Sequence, residues 1–118
     1  MLHGAALDAS MEHLRQYERA PFAGVVRFFE WDRARTAPAA EISGGGLFLQ
    51  TPLPLPEGRL LTLRLELPGM EQAFTVLARV VRTVRGGLPS QVGMGLQFLD
   101  IGPGHRARIE GYVAARAR

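Results

Sequence analysis

The chain contains neither cysteine nor lysine among its 118 residues. The lack of cysteine excludes disulfides and thiolate metal sites, and the three histidines, His3, His13 and His105, are too scattered to predict a metal cluster. The longest uncharged stretch is too short to span a bilayer, and the first residues lack the basic start and apolar core of a signal peptide. We therefore expect one domain of ordinary size, in the cytoplasm and without membrane contact.

All fourteen basic residues are arginine, and the net charge is +3. A codon-composition bias toward arginine accounts for this pattern as well as a functional demand does. Arginine does suit phosphate oxygens and guanine edges, because its planar guanidinium forks onto both. Along the predicted strands, however, arginine alternates with glutamate, which predicts no one-sided basic patch and no nucleic-acid partner.

The residues form no catalytic set. Ser43 has no histidine nearby in sequence, and its glycines do not make the nucleophile elbow of a serine hydrolase. The stretch "GGGLFL" lacks the Lys-Ser/Thr of a phosphate-binding loop. We therefore expect a protein that is not an enzyme and holds no cofactor or metal.

The periodicity of apolar residues predicts a short helix over 7–18, which Ala20-Pro21 ends. A C-terminal helix is predicted from Pro103, with a narrow apolar stripe of Ile109, Tyr112 and Val113. The segment 32–41 is predicted to be a polar connection. Strands are predicted over 24–31, 46–51, 59–67, 72–84 and 92–100. Short strands with antiparallel turn spacing indicate an all-β fold, a small barrel with flanking helices.

The strand predicted over 92–100 carries glycine at alternate positions. Met94, Leu96 and Phe98 would share one face, and Gly93 and Gly95 would leave the other face almost bare. A bare strand face permits another part of the chain to approach the backbone closely.

Two short motifs remain as candidates for binding. In "RQYER", Arg15 and Arg19 stand four apart, so they project from one face of a helix or, if extended, wrap around a ligand. The alternative is a solvated pair bridged to neighbouring glutamates. In "EISGGG", successive backbone N–H groups and the Ser43 hydroxyl can form an anion-binding concavity. The alternative there is a plain turn at positive φ.

In their order and spacing the two motifs resemble the PilZ domain family, whose members carry RxxxR before the first strand and (D/N)xSxxG at the start of the second. Four further segments also resemble this family: "GGLFLQTPLPLPEG", "LTLRLELPG", "ARVVR" and "GMGLQFLDI". The resemblance implies a six-stranded antiparallel barrel with a C-terminal helix. It divides the chain into an N-terminal arm over 1–20, which carries RxxxR, and a barrel with its helix over 21–118.

The ligand that the resemblance implies is cyclic di-GMP, which has two guanines and two phosphates. By this similarity Arg15 and Arg19 clamp phosphate and guanine, and Ser43 with the backbone of Gly44, Gly45 and Gly46 lines the pocket. Glu41 stands where the family has Asp or Asn, which accepts hydrogen bonds from the guanine edge.

Two functions are implied. The first is a cytoplasmic receptor that signals to a downstream protein partner through a ligand-dependent change of the N-terminal arm. The alternative is a PilZ-fold protein that does not bind cyclic di-GMP and acts only through protein contacts, as in pilus or motility regulation. Glu41 favours the alternative, as does an apolar surface expected around "FFEW" and "PLPLP".

Overall fold

The computed structural model describes residues 18–69 and 72–116. The helix predicted over 7–18 therefore lies outside the described residues except for Glu18, and so does Arg15. The elements in chain order are β1 (Arg19–Glu30), β2 (Arg33–Ser43), β3 (Gly46–Gln50), β4 (Leu60–Leu65), β5 (Phe74–Val84), a single 3₁₀ turn (Pro89–Gln91), β6 (Gly93–Asp100) and α1 (Pro103–Arg116).

The six strands close into one barrel. Every neighbouring pair is antiparallel, and the order around the ring is β1-β2-β3-β6-β5-β4, so the last strand of that order returns to the first. Closure gives each strand two neighbours, although residues 33–38 of β2 pair only with β1 and the β1–β4 pairing covers only residues 27–29 of β1. The predicted all-β barrel with a C-terminal helix is confirmed.

The core follows from strict alternation along the strands. On β4, Leu61, Leu63 and Leu65 are buried while the residues between them are exposed. On β6, Met94, Leu96 and Phe98 point inward, as predicted. Apolar side chains at alternate positions of each strand thus fill the barrel interior, and their removal from water is the main force that holds it together.

Helix α1 lies against β1 and β2. Its predicted apolar stripe is confirmed, because Ile109 and Val113 are buried and Tyr112 packs against the core. The Tyr112 ring meets the Phe22 ring edge-on, with centroids 5.8 Å apart, a favoured aromatic geometry. No helix within the described ranges is long and apolar enough to cross a membrane.

The prediction of a polar connection over 32–41 is wrong, because these residues form most of β2. Alanine and proline are weak strand formers, so the segment carries little local signal. Ala37 and Ala39 are nevertheless buried in the core. Residues 33–38 of β2 pair with β1 but not with β3. Pro38 is tolerated there because its missing N–H removes no hydrogen bond to a second neighbouring strand.

Strand β1 begins at Arg19, five residues earlier than predicted. Pro21 does not end the sheet, since the pairing with β2 continues through an irregularity between Pro21 and Gly24. A bulge of this kind admits proline into a strand. Arg19 is therefore in extended backbone at the mouth of the barrel.

The apolar stretches "FFEW" and "PLPLP" divide between core and surface. Phe28 is buried, and Leu55 packs against the core. Trp31 and Leu53 are exposed. Trp31 lies in the two-residue turn between β1 and β2 and is the one non-glycine residue of the described part with positive φ, at 58°.

The bare face of β6 permits the close approach that its glycines predict. A Cβ placed on Gly93 would lie 2.0 Å from the Leu49 carbonyl oxygen and 3.0 Å from the Phe48 ring. A Cβ on Gly95 would meet nothing closer than 3.4 Å, at Arg82 Cβ. Gly93 is thus required for β3 and β6 to pair, whereas a methyl group on Gly95 would make only ordinary van der Waals contacts with Arg82 and Phe48.

We expect Gly93→Ala to lower the free energy of unfolding by at least about 2 kcal/mol, because the backbone of β3 must move to admit the methyl group. Gly95→Ala is the matched control and should change stability by less than about 1 kcal/mol. Urea denaturation followed by circular dichroism measures both. Equal stabilities of the two variants would contradict the assigned close approach.

Candidate functional site

The turn between β2 and β3 is held by Ser43. Its side chain is 3% exposed. The Oγ accepts a hydrogen bond from the Gly45 N–H at 3.1 Å and donates one to the Gly46 carbonyl oxygen at 3.4 Å. The Gly45 carbonyl oxygen in turn accepts from the Phe98 N–H at 2.9 Å, which joins the turn to β6. Ser43 thus uses its hydroxyl to shape the turn.

The glycine triplet is not a left-handed turn. Gly44, Gly45 and Gly46 are buried, and the positive-φ glycines among the described residues lie elsewhere, at Gly58, Gly69 and Gly87. The interpretation as a turn with positive φ is therefore wrong. The Gly45 N–H is already bonded to Ser43, so it is not an open donor for an anion.

Arg19 and Glu41 meet across β1 and β2. Arg19 pairs with Ser43 in the register, and its Nη1 lies 3.5 Å from Glu41 Oε1. The two side chains are 39% and 47% exposed, so the ion pair contributes at most about 1 kcal/mol. An anionic ligand can therefore displace the carboxylate from the guanidinium at small cost.

A row of outward-facing residues continues from Glu41 across three more strands. Glu41 pairs with Phe48 on β3, Phe48 with Gly95 on β6, and Gly95 with Arg82 on β5. The Phe48 ring reaches over the β6 glycines, within 3.0 Å of a Cβ placed on Gly93. Side chains from β2, β3 and β5 thus come together around the bare backbone of β6.

This row borders a surface depression at the β2–β3 end of the barrel. Its lining includes Arg19, Glu41, Ser43, Gly46, Phe48, Arg82 and Gly95. Arg82 makes no ion pair within the described ranges. The depression therefore offers two cations, a carboxylate acceptor and an aromatic face, a set that suits an anion bearing a planar ring.

The structure brings together five of the six predicted site residues it describes. Arg19, Glu41, Ser43 and Gly46 line the depression, and Gly45 takes part in the turn below it. Gly44 lies in the same turn without a lining role, and Arg15 is outside the described residues. Across 18–69 and 72–116, no group of three or more His, Asp or Glu residues is placed to hold a metal ion.

Sequence reasoning missed Phe48 and Arg82. Phe48 is one apolar residue in a strand, and Arg82 is one of many arginines. Their shared location follows from β3–β6 and β5–β6 pairings between distant segments. The one local sequence feature that pointed to this location was the strand face at Gly93 and Gly95, which carries no side chains.

We expect Ser43→Ala to lower the free energy of unfolding by about 1–3 kcal/mol, because it leaves the buried Gly45 N–H without its acceptor. Ser90→Ala is the matched control, since Ser90 is exposed and its hydroxyl makes no hydrogen bond in the structure. Thermal unfolding by calorimetry compares the two. A Ser43→Ala variant as stable as Ser90→Ala would show that the turn does not depend on the hydroxyl.

A barrel of this topology with these motifs is that of a known domain family. The sequence model of the PilZ domain matches residues 13–115. The chain therefore belongs to the PilZ domain family.

Solved structures show the same fold. The Bacillus subtilis inhibitor of motility MotI/DgrA is 24% identical with a TM-score of 0.69, and the match covers 86% of this chain and 50% of that one. The PilZ domain of YcgR from Escherichia coli, solved with c-di-GMP, is 20% identical with a TM-score of 0.62, over 88% of this chain and 92% of that one.

The PilZ domain of CeSA from a cellulose-synthesizing bacterium is 17% identical with a TM-score of 0.58, over 82% of this chain and 95% of that one. The present chain thus spans about half the length of the MotI/DgrA chain and nearly all of the two isolated domains. A search of curated protein sequences found no significant match.

Proposed function

We propose that this protein is a non-enzymatic receptor for cyclic di-GMP that passes the signal to a protein partner. One observation carries the proposal: barrel closure gathers Arg19, Glu41, Phe48 and Arg82 around the bare backbone at Gly95. Family membership supports it, as does the similarity to the YcgR domain, which was solved with c-di-GMP.

The chemistry of the pocket matches that of the nucleotide. Arg19, together with Arg15 from the arm, supplies charge-assisted hydrogen bonds to phosphate and to guanine O6 and N7. Glu41 accepts from the guanine N–H groups. Arg82 provides a further cation, and the Phe48 ring offers an apolar surface for a base.

Ser43 and the three glycines have a mainly geometric role in this proposal. The hydroxyl of Ser43 is engaged in the turn, so these residues set the height and shape of the pocket wall. A side chain larger than glycine there would fill the space beside Glu41 and Phe48.

Signalling follows from the Arg19–Glu41 ion pair. Arg19 lies in the N-terminal arm over 1–20 and is the first residue of β1. A phosphate that draws its guanidinium away from Glu41 changes the direction in which the chain leaves the barrel. The ligand thereby repositions the arm, and a partner reads the new position.

We expect Arg19→Ala and Arg82→Ala each to weaken cyclic di-GMP binding by roughly 10- to 100-fold, since each removes a charged hydrogen-bond donor worth about 1.5–3 kcal/mol. Arg108→Ala is the matched control, because Arg108 is exposed on α1 and away from the depression. Isothermal titration calorimetry measures all three affinities. No heat from the natural protein at high micromolar ligand would refute the receptor function.

A second candidate function is a PilZ barrel that works through protein contacts without the nucleotide. The observation that favours it is Glu41 itself, whose carboxylate is one methylene longer than Asp and already contacts Arg19 at 3.5 Å. In this case the longer Glu41 side chain pushes the guanine out of register.

Substitutions at Glu41 separate the two functions. For a receptor we expect Glu41→Ala to weaken cyclic di-GMP binding by roughly 10- to 100-fold, and Glu41→Asp to retain it. For the second candidate the natural protein does not bind and Glu41→Asp gains affinity. Titration of the natural protein and both variants under one set of conditions decides between these patterns.

A further inference from the structure

The outer surface around the β1–β4 pairing, with the adjoining part of β5, carries none of the residues that line the candidate pocket. In the ring order, β1 and β6 are three strands apart in both directions, and so are β4 and β3. A pocket centred on β3 and β6 therefore has β1 and β4 behind it. We call this surface the β1–β4 face and define it by Arg27, Phe29, Trp31, Leu60, Arg64 and Arg79.

The charges on this face are not explained by folding. Arg27 stands directly opposite Arg64, and Arg79 pairs with Leu60 one strand further on. All three arginines are exposed, and none forms an ion pair with a described residue. Like charges opposite each other destabilise a sheet. Arg27 and Arg64 are thus adjacent cations that form no ion pair with a described residue, and Arg79 stands opposite Leu60, roughly 13 Å further along β4.

Acidic side chains also lie on this side of the barrel: Glu30 and Glu57 line the same depression as Trp31 and Leu60, and Glu66 is exposed two residues after Arg64. Glu66 follows β4, and Asp100 pairs with Leu77 at the β5–β6 side. Glu30 is already bound to Arg59. The alternation of arginine and glutamate along single strands predicted no one-sided patch, but the pairing of β1 with β4 places Arg27 directly opposite Arg64.

The same face exposes apolar side chains. Trp31 is 91% exposed and Leu60 is 51% exposed, and the two line one depression. Phe29 lies beside them, with the Arg27 guanidinium 5.7 Å from its ring centroid. Exposed apolar groups that adjoin one another and carry a charged rim are typical of interaction surfaces.

The backbone conformation of Trp31 also indicates an interaction surface. Its φ of 58° lies in the left-handed region, where a bulky side chain is strained by roughly 1 kcal/mol or more. Glycine or asparagine would suit that turn position better. The tryptophan ring packs against little in this chain, so a contact outside the chain accounts for it best.

We propose that the β1–β4 face docks an acidic segment of a partner protein that also carries apolar side chains. Carboxylates would neutralise the arginines, and apolar groups would cover Trp31 and Leu60. Single-stranded nucleic acid would satisfy the arginines but would leave the exposed leucines without contacts. Strand addition is not available at the centre of this face, because Arg27, Phe28 and Phe29 of β1 are already paired with β4.

This inference does not depend on cyclic di-GMP binding, because the two surfaces share no residue. Their tests also use different ligands and different residues. Failure of one therefore leaves the other standing.

Trp31 is the single tryptophan of the chain, so its fluorescence reports on the β1–β4 face alone. The probe is a short synthetic peptide in which glutamate alternates with leucine. We expect the peptide to shift Trp31 emission to shorter wavelength, because burial removes the ring from water. We expect the double variant Arg27→Glu/Arg64→Glu to weaken peptide binding by roughly tenfold, as the loss of two surface ion pairs implies.

The matched control is Arg85→Glu/Arg108→Glu, which changes the net charge equally but lies away from the face. It should bind the peptide as the natural protein does. Both double variants should keep the circular dichroism spectrum of the natural protein, and Arg27→Gln/Arg64→Gln replaces the first if it misfolds.

Three results would overturn the proposal. One is unchanged Trp31 emission with the peptide. Another is equal weakening by both double variants, which would indicate a net-charge effect. The third is an emission shift with oligouridylate or anionic phospholipid vesicles in the absence of any shift with the peptide.

Discussion

Closure of the barrel between β3 and β6 is the constraint on which the rest of the structure depends. These strands are distant in sequence, and their pairing brings Gly93 so close to Leu49 that a methyl group would not fit. Because the ring must close there, β1 and β4 are forced together on the opposite side. Both surfaces with a proposed role are thus consequences of one close backbone contact.

The two sides of the barrel use arginine differently. At the pocket, Arg19 forms a weak ion pair with Glu41, and an anionic ligand can replace the Glu41 carboxylate in that pair. On the β1–β4 face, Arg27 and Arg64 face each other without a carboxylate. The Arg19–Glu41 ion pair suits a conformational change on ligand binding. Arg27 and Arg64, which face each other, suit attraction of an acidic surface. Under the two proposals the domain holds a nucleotide and a protein at the same time.

Local patterns predicted much of this fold, because the strict alternation of Leu61, Leu63 and Leu65 and the glycines of β6 are visible in the sequence. They did not predict β2, since Ala37 and Ala39 carry almost no strand signal and are buried only by the ring around them. The proximity of Arg19 to Glu41 was implied by family resemblance. The addition of Phe48 and Arg82 to the pocket, and of Arg27 to Arg64, required pairings between distant strands that no local pattern encodes.

The central claim is that cyclic di-GMP binds over the bare backbone of β6, beside the β2–β3 turn. Amide chemical shifts of the ¹⁵N-labelled protein, recorded by NMR during addition of the nucleotide, test it most directly. The account predicts that the largest shifts fall on Glu41, Gly46, Phe48, Arg82 and Gly95, while the amides of Arg27, Arg64 and Trp31 change little. Shifts centred on the β1–β4 face, or none at saturating nucleotide, would contradict it.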